Sequence, residues 1–282
     1  MSTPRLPAGR VIGWFILIAA AAMQPAAAQL PTNDPPWLGD FAVFANRHFQ
    51  FGLTTHGKIF LTPLRDNRTP VADAFIIPIS IMVEEIRPVG KPGTRQVLFA
   101  TLKSSQHATS QLEKTVFSGQ LSGGASFEVC IEQKDGVISL GGGLLEAVKP
   151  QKYPLRFSLR VKFPPSYSSA KKSDIKGTKA FEKKLSSDRL NLTWTDGQHT
   201  KHKFGKAMDA ASKLINGPGI AAAEVENSAY PGRKFRFTAA PNSVMTLSNE
   251  KDTPLHRGFA IHWTPDATKD ALRTARLHIK VR

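Results

Sequence analysis

The segment from Leu155 to Phe163 constrains the fold more than any other part of the sequence. Apolar residues occupy every second position, and Arg, Ser and Lys occupy the positions between them. Successive side chains of a β-strand point to opposite faces of its sheet, so this alternation predicts a strand with one buried and one solvated face. The Pro164-Pro165 pair ends the pattern. Such strands are typical of antiparallel sheets that cover a core on one side.

Short apolar or alternating segments separated by turn residues run through the rest of the chain. Lys134-Asp135-Gly136 is predicted to be a hairpin turn, and Lys206 to Asn216 a helix that ends at Gly217-Pro218. Pro78 divides the segment 71–86 into two short strands or makes it a bulged edge strand. Further strands are expected at 41–53, 58–64, 96–102, 115–120, 126–133, 137–140, 189–195, 235–237, 243–247, 259–263 and 275–281.

These patterns together predict a mainly β protein. Many short strands with few helices are typical of a large antiparallel β-sandwich, with two packed sandwiches as the alternative, and we expect one or two short helices.

The first 28 residues have the pattern of a secretory signal peptide. Arg5 and Arg10 precede an apolar run from Val11 to Met23, and Ala26 to Ala28 supply small residues before Gln29. The run is shorter than the about 20 residues that span a bilayer. We therefore expect cleavage before Gln29 and a secreted or periplasmic protein with no further membrane segment.

The positive charge lies in one half of the mature chain. Residues 29–150 contain 11 Lys or Arg and 11 Asp or Glu, whereas residues 151–282 contain 25 Lys or Arg and 11 Asp or Glu. We expect a single domain over residues 29–282, with a division near residue 150 as the alternative. A concentrated positive charge favours an anionic partner. For an exported protein this is an anionic polysaccharide or another polymer of the cell envelope, and we expect no nucleic acid.

Basic residues alternate with apolar residues on three predicted strands. If these strands share one sheet, their basic side chains form one cationic face, where the arginine forks can hold carboxylates or sulfates. Two tyrosines in proline-flanked loops are candidates for stacking on sugar rings. The predicted ligand-binding residues are Arg156, Arg160, Lys162, Lys234, Arg236, Arg276, Lys280, Tyr167 and Tyr230. The alternative is that these charges serve solubility and block edge pairing.

Other residues with potential chemistry fit no catalytic pattern. Cys130 is the only cysteine, and we expect a semi-buried inert thiol because nearby carboxylates raise its pKa. His199 and His202 lie beside lysines that oppose metal binding, so we expect no metal and no cofactor. Trp194 and Trp263 alternate with apolar residues and are predicted to lie in the core.

The sequence therefore favours an exported, non-catalytic β-sandwich that binds an anionic glycan or envelope polymer through its basic second half. Two alternatives stay open. One is a polysaccharide lyase or glycosidase on the same scaffold, although the sequence contains no Gly-x-Ser-x-Gly, His-Glu-x-x-His or Cys-x-x-Cys motif. The other is a structural or interaction module without a small ligand.

Overall fold

The computed structural model describes residues 29–88, 93–95, 101–121, 124–145, 152–166, 183, 185–205, 219–249, 254–266, 270 and 273–282. Over these residues the protein is mainly antiparallel β, which confirms the predicted fold class. Two 3₁₀ helices are described, Asp73–Phe75 and Leu255–Arg257. The described helices include none that is long and apolar enough to cross a membrane.

The strands are β1 (Asp40–Ala45), β2 (Phe49–Thr54), β3 (Ile59–Pro63), β4 (Ile77–Glu85), β5 (Gly93–Arg95), β6 (Thr101–Lys103), β7 (Lys114–Gln120), β8 (Ser126–Lys134), β9 (Val137–Leu144), β10 (Leu155–Phe163), β11 (Arg189–Trp194), β12 (His199–Lys203), β13 (Ile220–Glu226), β14 (Lys234–Ala239), β15 (Ser243–Asn249), β16 (Phe259–Pro265) and β17 (Leu277–Val281).

The described strands form one continuous 17-stranded sheet that curls into two layers, sheet 1 and sheet 2, which pack face to face. Sheet 1 has the order β1-β2-β3-β4-β10-β16-β15, and β5 pairs with the end of β4. Sheet 2 has the order β6-β7-β8-β9-β17-β14-β13-β11-β12. The sheets meet at one corner, where Ile220 of β13 pairs with Met245 of β15. Near β1, the backbone of Thr109 hydrogen-bonds to Phe41 and Val43.

An aromatic cluster joins the two sheets through the core. The ring of Phe163 on β10 stacks on Phe259 of β16, with centroids 4.8 Å apart. The same ring meets Phe235 and Phe237 of β14 edge-on, at 5.6 and 5.8 Å. These contacts connect the inner faces of opposite sheets. The residues that alternate with them on β10 and β14 therefore point outward on opposite sides of the sandwich.

Both sheets combine strands from both halves of the chain. β4 pairs with β10 in sheet 1, and β9 pairs with β17 in sheet 2. A domain boundary near residue 150 would therefore divide both sheets and the core between them.

Two local predictions are confirmed by the structure. The alternating segment is β10, with the bounds that the sequence indicated. The turn between β8 and β9 places Asp135 at φ 51° and Gly136 at φ 73°, the two left-handed positions that a type I′ hairpin requires.

Two other strand predictions are wrong. The segment 41–53 is two strands, because the Asn46 side chain accepts hydrogen bonds from the N–H groups of His48 and Phe49 and closes a turn. The segment 71–86 contains one nine-residue strand, β4, between β3 and β10, with Pro78 paired opposite Phe60 near its beginning. The helix predicted at 206–216 lies outside the described residues.

Candidate functional site

The seven basic residues predicted to share one face lie on two opposite faces of the sandwich. Because β10 belongs to sheet 1 and β14 and β17 belong to sheet 2, the prediction of a single cationic face is wrong. The outer face of sheet 1 has Arg156, Arg160 and Lys162, and sheet 2 has Lys234, Arg236 and Lys280, with Arg276 directly before β17. Alternation within a strand identifies the residues that point to solvent, but it does not indicate to which sheet the strand belongs.

Of the two predicted tyrosines, the structure describes Tyr230, which is not an exposed stacking platform. Tyr230 is 1% exposed, and its ring lies edge-on to Phe163 and Phe235 in the core. Burial raises the pKa of its phenol well above the ordinary value. Tyr167 lies outside the described residues. The tryptophan predictions are confirmed, because Trp194 and Trp263 are both buried.

Part of the positive charge on the outer face of sheet 1 is neutralised by an ion pair within the sheet. Arg156 forms an ion pair with Glu84 on the neighbouring strand, at 2.5 Å between Nη2 and Oε2. Arg160 lies opposite His262, whose pKa is lowered to about 4 by burial and by the positive charge of Arg160. The Nε2 atom of His262 is 2.7 Å from the Oγ atom of Ser248.

The outer face of sheet 2 presents a continuous row of polar side chains. The strand register places Lys201, Asn191, Glu224, Arg236 and Lys280 opposite one another on five neighbouring strands, from β12 to β17. Neighbouring strands are about 4.8 Å apart, so the row extends over roughly 19 Å. We call it the sheet 2 row.

A groove lies beside the sheet 2 row. The methyl group of Ala222 lies between the longer side chains of neighbouring strands, and the surface is recessed there. His199 closes one end through a 3.1 Å contact between its Nδ1 atom and Oγ1 of Thr193. This Ala222 groove has a volume of about 410 Å³ and is lined by Asn191, Leu192, Thr193, His199, Thr200, Lys201, Ala222, Glu224 and Arg236.

Positive charge exceeds negative charge on this face. Arg236 contacts Glu224 at 3.4 Å and Lys234 contacts Glu226 at 2.7 Å, while Lys201 and Lys280 have no ion pair among the described residues. Four glutamates point outward from its strands, Glu128, Glu132, Glu224 and Glu226. Nine basic residues do so, Lys103, Lys114, Lys134, Arg189, Lys201, Lys203, Lys234, Arg236 and Lys280.

Hydrogen bonds hold two of these carboxylates in the charged form. Burial alone raises the pKa of Glu226, but the hydrogen bonds from Lys234 and Arg189 outweigh it and the pKa is lowered. The hydrogen bond from Lys114 likewise lowers the pKa of Glu132. The pairs are ionised at neutral pH and fix the positions of their cations.

Cys130 lies further along the same sheet and is buried, whereas the sequence predicted a semi-buried thiol. Burial is the largest cause of the raised pKa of its thiol, and Glu132, 3.6 Å away, adds to it. A protonated thiol is a poor nucleophile. Within the described part of the chain, no three His, Cys, Asp or Glu residues are grouped so that they could hold a metal ion.

Sequence reasoning missed most of the groove. Asn191 and Thr193 are the polar members of an alternating strand, which was a usable signal. No sequence pattern marked Ala222, whose small side chain makes the recess. A small residue forms the floor of a groove only when its neighbours on adjacent strands are larger, and the sequence does not indicate those neighbours.

No protein-family profile and no curated protein sequence match this chain. Among solved structures, it is similar to an α-N-acetylgalactosaminidase from Bifidobacterium bifidum in complex with GalNAc, with a TM-score of 0.50 and 12% identity. The match covers 85% of this chain and 35% of that enzyme, so the chain spans about a third of its length. At this identity the likeness shows the fold alone.

Two shorter proteins match over nearly their whole length. A galactose mutarotase related enzyme from Lactobacillus acidophilus has a TM-score of 0.40 and 11% identity, with 85% of this chain and 96% of that chain covered. An aldose epimerase homologue from C. elegans has a TM-score of 0.43 and 11% identity, with 86% and 98% covered.

Proposed function

We propose that this protein binds an anionic polysaccharide across the outer face of sheet 2, with one sugar unit in the Ala222 groove. The sheet 2 row is the observation that carries the proposal. It places an amide and a carboxylate between cations on a rigid sheet, at a spacing that the strands fix. The secretory leader predicted at residues 1–28 accords with a ligand outside the cytoplasm.

The chemistry of the row suits an acidic sugar polymer. Lys201 and Lys280 have no competing carboxylate among the described residues and are available to carboxylate or sulfate groups. Asn191 and Glu224 between them offer an amide and a carboxylate to sugar hydroxyls. The sandwich fold is also found within an enzyme that was solved with GalNAc, in keeping with a carbohydrate ligand.

The groove favours binding over hydrolysis. Glycoside hydrolysis generally uses two carboxyl groups that flank the scissile bond. The described lining of the groove has one carboxylate, Glu224, and Arg236 contacts it. We therefore propose a binding protein rather than a glycosidase.

The test compares two matched double variants by isothermal titration calorimetry with a sulfated polysaccharide, a polyuronate and a neutral glucan. Replacing Arg236 and Lys280 by Gln removes two charges from the sheet 2 row. Because charge-assisted hydrogen bonds contribute about 1.5–3 kcal/mol each, affinity for the acidic polymers should fall about tenfold or more. The parent should bind the acidic polymers more weakly as salt rises and should not bind the neutral glucan.

The control removes two charges from the opposite face, by replacing Arg160 and Lys162 with Gln. Its affinity should stay close to that of the parent, because both residues lie on sheet 1. A third variant, Ala222→Phe, fills the groove without changing the charge and should also weaken binding. Equal losses in the two double variants, or cleavage of the polymer by the parent, would contradict the proposal.

A further inference from the structure

A second, smaller pocket lies where three loops meet at one end of the sandwich. It has a volume of about 290 Å³, and none of its lining residues lines the Ala222 groove. The turn between β1 and β2, the segment after β3 and the turn before β14 supply its residues. We call it the arginine pocket, and it is lined by Arg47, His48, Asp66, Arg68 and Arg233.

One arginine is fixed in place and forms the base of the pocket. The Nε atom of Arg233 donates to the carbonyl oxygen of Leu64 at 2.7 Å, and Nη1 donates to Asp66 at 3.0 Å. Its side chain is 7% exposed, whereas that of Asp66 is 80% exposed. Asp66 is the one carboxylate among the described residues of the lining, so it offsets one of their three positive charges.

The other two arginines have no carboxylate partner within the described structure. Arg47 donates from Nε to the Nε2 atom of His48 at 3.0 Å. Arg68 has a φ of 62°, a left-handed conformation that costs about 1–2 kcal/mol for a residue with a Cβ atom. A turn residue such as Gly or Asn adopts this conformation more readily. Strain of this kind is often retained where a side chain has a function.

His48 completes the lining with an unsatisfied polar atom. Since its Nε2 atom accepts from Arg47, the neutral ring has its proton on Nδ1, and this atom is buried without a hydrogen-bond partner in the described structure. Burial, Arg47 and Arg233 lower the pKa of His48, so the ring is neutral at pH 7. The lining therefore has a net charge of about +2 from its arginines and Asp66.

We propose that the arginine pocket binds a tetrahedral dianion, a sulfate or phosphate group, at a site separate from the polysaccharide face. Three guanidinium groups from three loops offer donors from different directions, which suits oxygens arranged around a tetrahedral centre better than a flat carboxylate. The net charge of the lining matches that of a dianion. The pocket opens to solvent, since Arg47 and Arg68 are exposed, so the group can belong to a larger ester.

The test titrates the full-length mature protein with sodium sulfate, sodium phosphate and sodium acetate at equal ionic strength. Sulfate and phosphate should bind, and acetate should bind at least about tenfold more weakly because it offers one charge and two oxygens. A sugar sulfate and the matching sugar phosphate then identify which ester the pocket prefers, and either preference supports the site. Acetate binding as tight as sulfate binding would overturn the proposal.

Single-residue variants of Arg68 and Arg47, with Arg65 as the control position, test the location of the site. Arg68→Asn removes the charge with a residue that tolerates the left-handed conformation, so the fold should be kept and sulfate affinity should fall about tenfold. The matched control is Arg65→Asn in the same loop, because Arg65 is exposed and does not line the pocket. Its sulfate affinity should stay within about twofold of the parent. Unchanged binding by Arg68→Asn together with Arg47→Gln would refute the proposed site.

Discussion

At the scale of single residues, the neighbours on adjacent strands determine whether a charged side chain is available to a ligand. Arg156 and Arg236 both follow an alternating pattern and both contact a glutamate across their sheet. Arg156 forms its pair at 2.5 Å, which leaves little of its charge for a ligand. Arg236 contacts Glu224 at 3.4 Å and lies in a row that continues to Lys280. The strand register places both arginines opposite a glutamate, so the contact distance and the residue on the next strand distinguish the two situations.

His262 should make stability depend on pH. Its pKa is lowered to about 4 from an ordinary value of 6.5, so between these values the unfolded chain binds a proton that the folded protein does not. The free energy of unfolding should therefore fall as the pH falls from 7 to 4, by up to about 3 kcal/mol from this residue.

Urea unfolding at several pH values, in the parent and in His262→Gln, measures this contribution. Other histidines with lowered pKa values remain in both proteins, so the difference between the two curves reports His262 alone. The variant should lose less stability toward acid. Parallel curves would show that the folded ring titrates normally.

At the scale of elements, β10 illustrates what a sequence pattern can specify. Strict alternation gave its bounds and its buried face, because both depend only on residues within the strand. The two wrong strand predictions depend on interactions that alternation does not describe. Asn46 interrupts one apolar segment by capping a turn with its side chain, and Pro78 is accommodated near the beginning of β4.

Phe163 at the end of β10 should be a major contributor to stability. It is fully buried and contacts rings from both sheets. Phe163→Ala should lower the free energy of unfolding by about 3–5 kcal/mol, because it leaves a cavity at the junction of the sheets. Its neighbour Lys162 is exposed, so Lys162→Ala should change stability by no more than about 0.5 kcal/mol. Chemical denaturation measures both, and similar values for the two variants would contradict this assignment.

At the scale of the whole molecule, the sequence predicted the fold class but not the location of the site. Short strands and turn residues are local features, and they were sufficient to predict a sandwich. Which strands become neighbours depends on pairings between distant segments, such as β14 with β17 or β4 with β10. The row of Lys201, Asn191 and Glu224 exists only once these pairings are known.

Residues 29–282 should unfold as one cooperative unit. Strands from residues 29–150 and 151–282 pair within both sheets, and one apolar core lies between the sheets. Tryptophan fluorescence and far-ultraviolet circular dichroism should therefore give coincident transitions in denaturant. Two separated transitions would mean that the halves of the chain fold independently after all.

The position of β17 determines when sheet 2 can be completed during folding. This strand lies in the middle of sheet 2, between β9 and β14, although it is the last of the described strands along the chain. Until β17 is in place, β9 and β14 each have an open edge with unpaired backbone groups. Sheet 2 can therefore close only when residues 277–281 are available for pairing, in whichever compartment the chain folds.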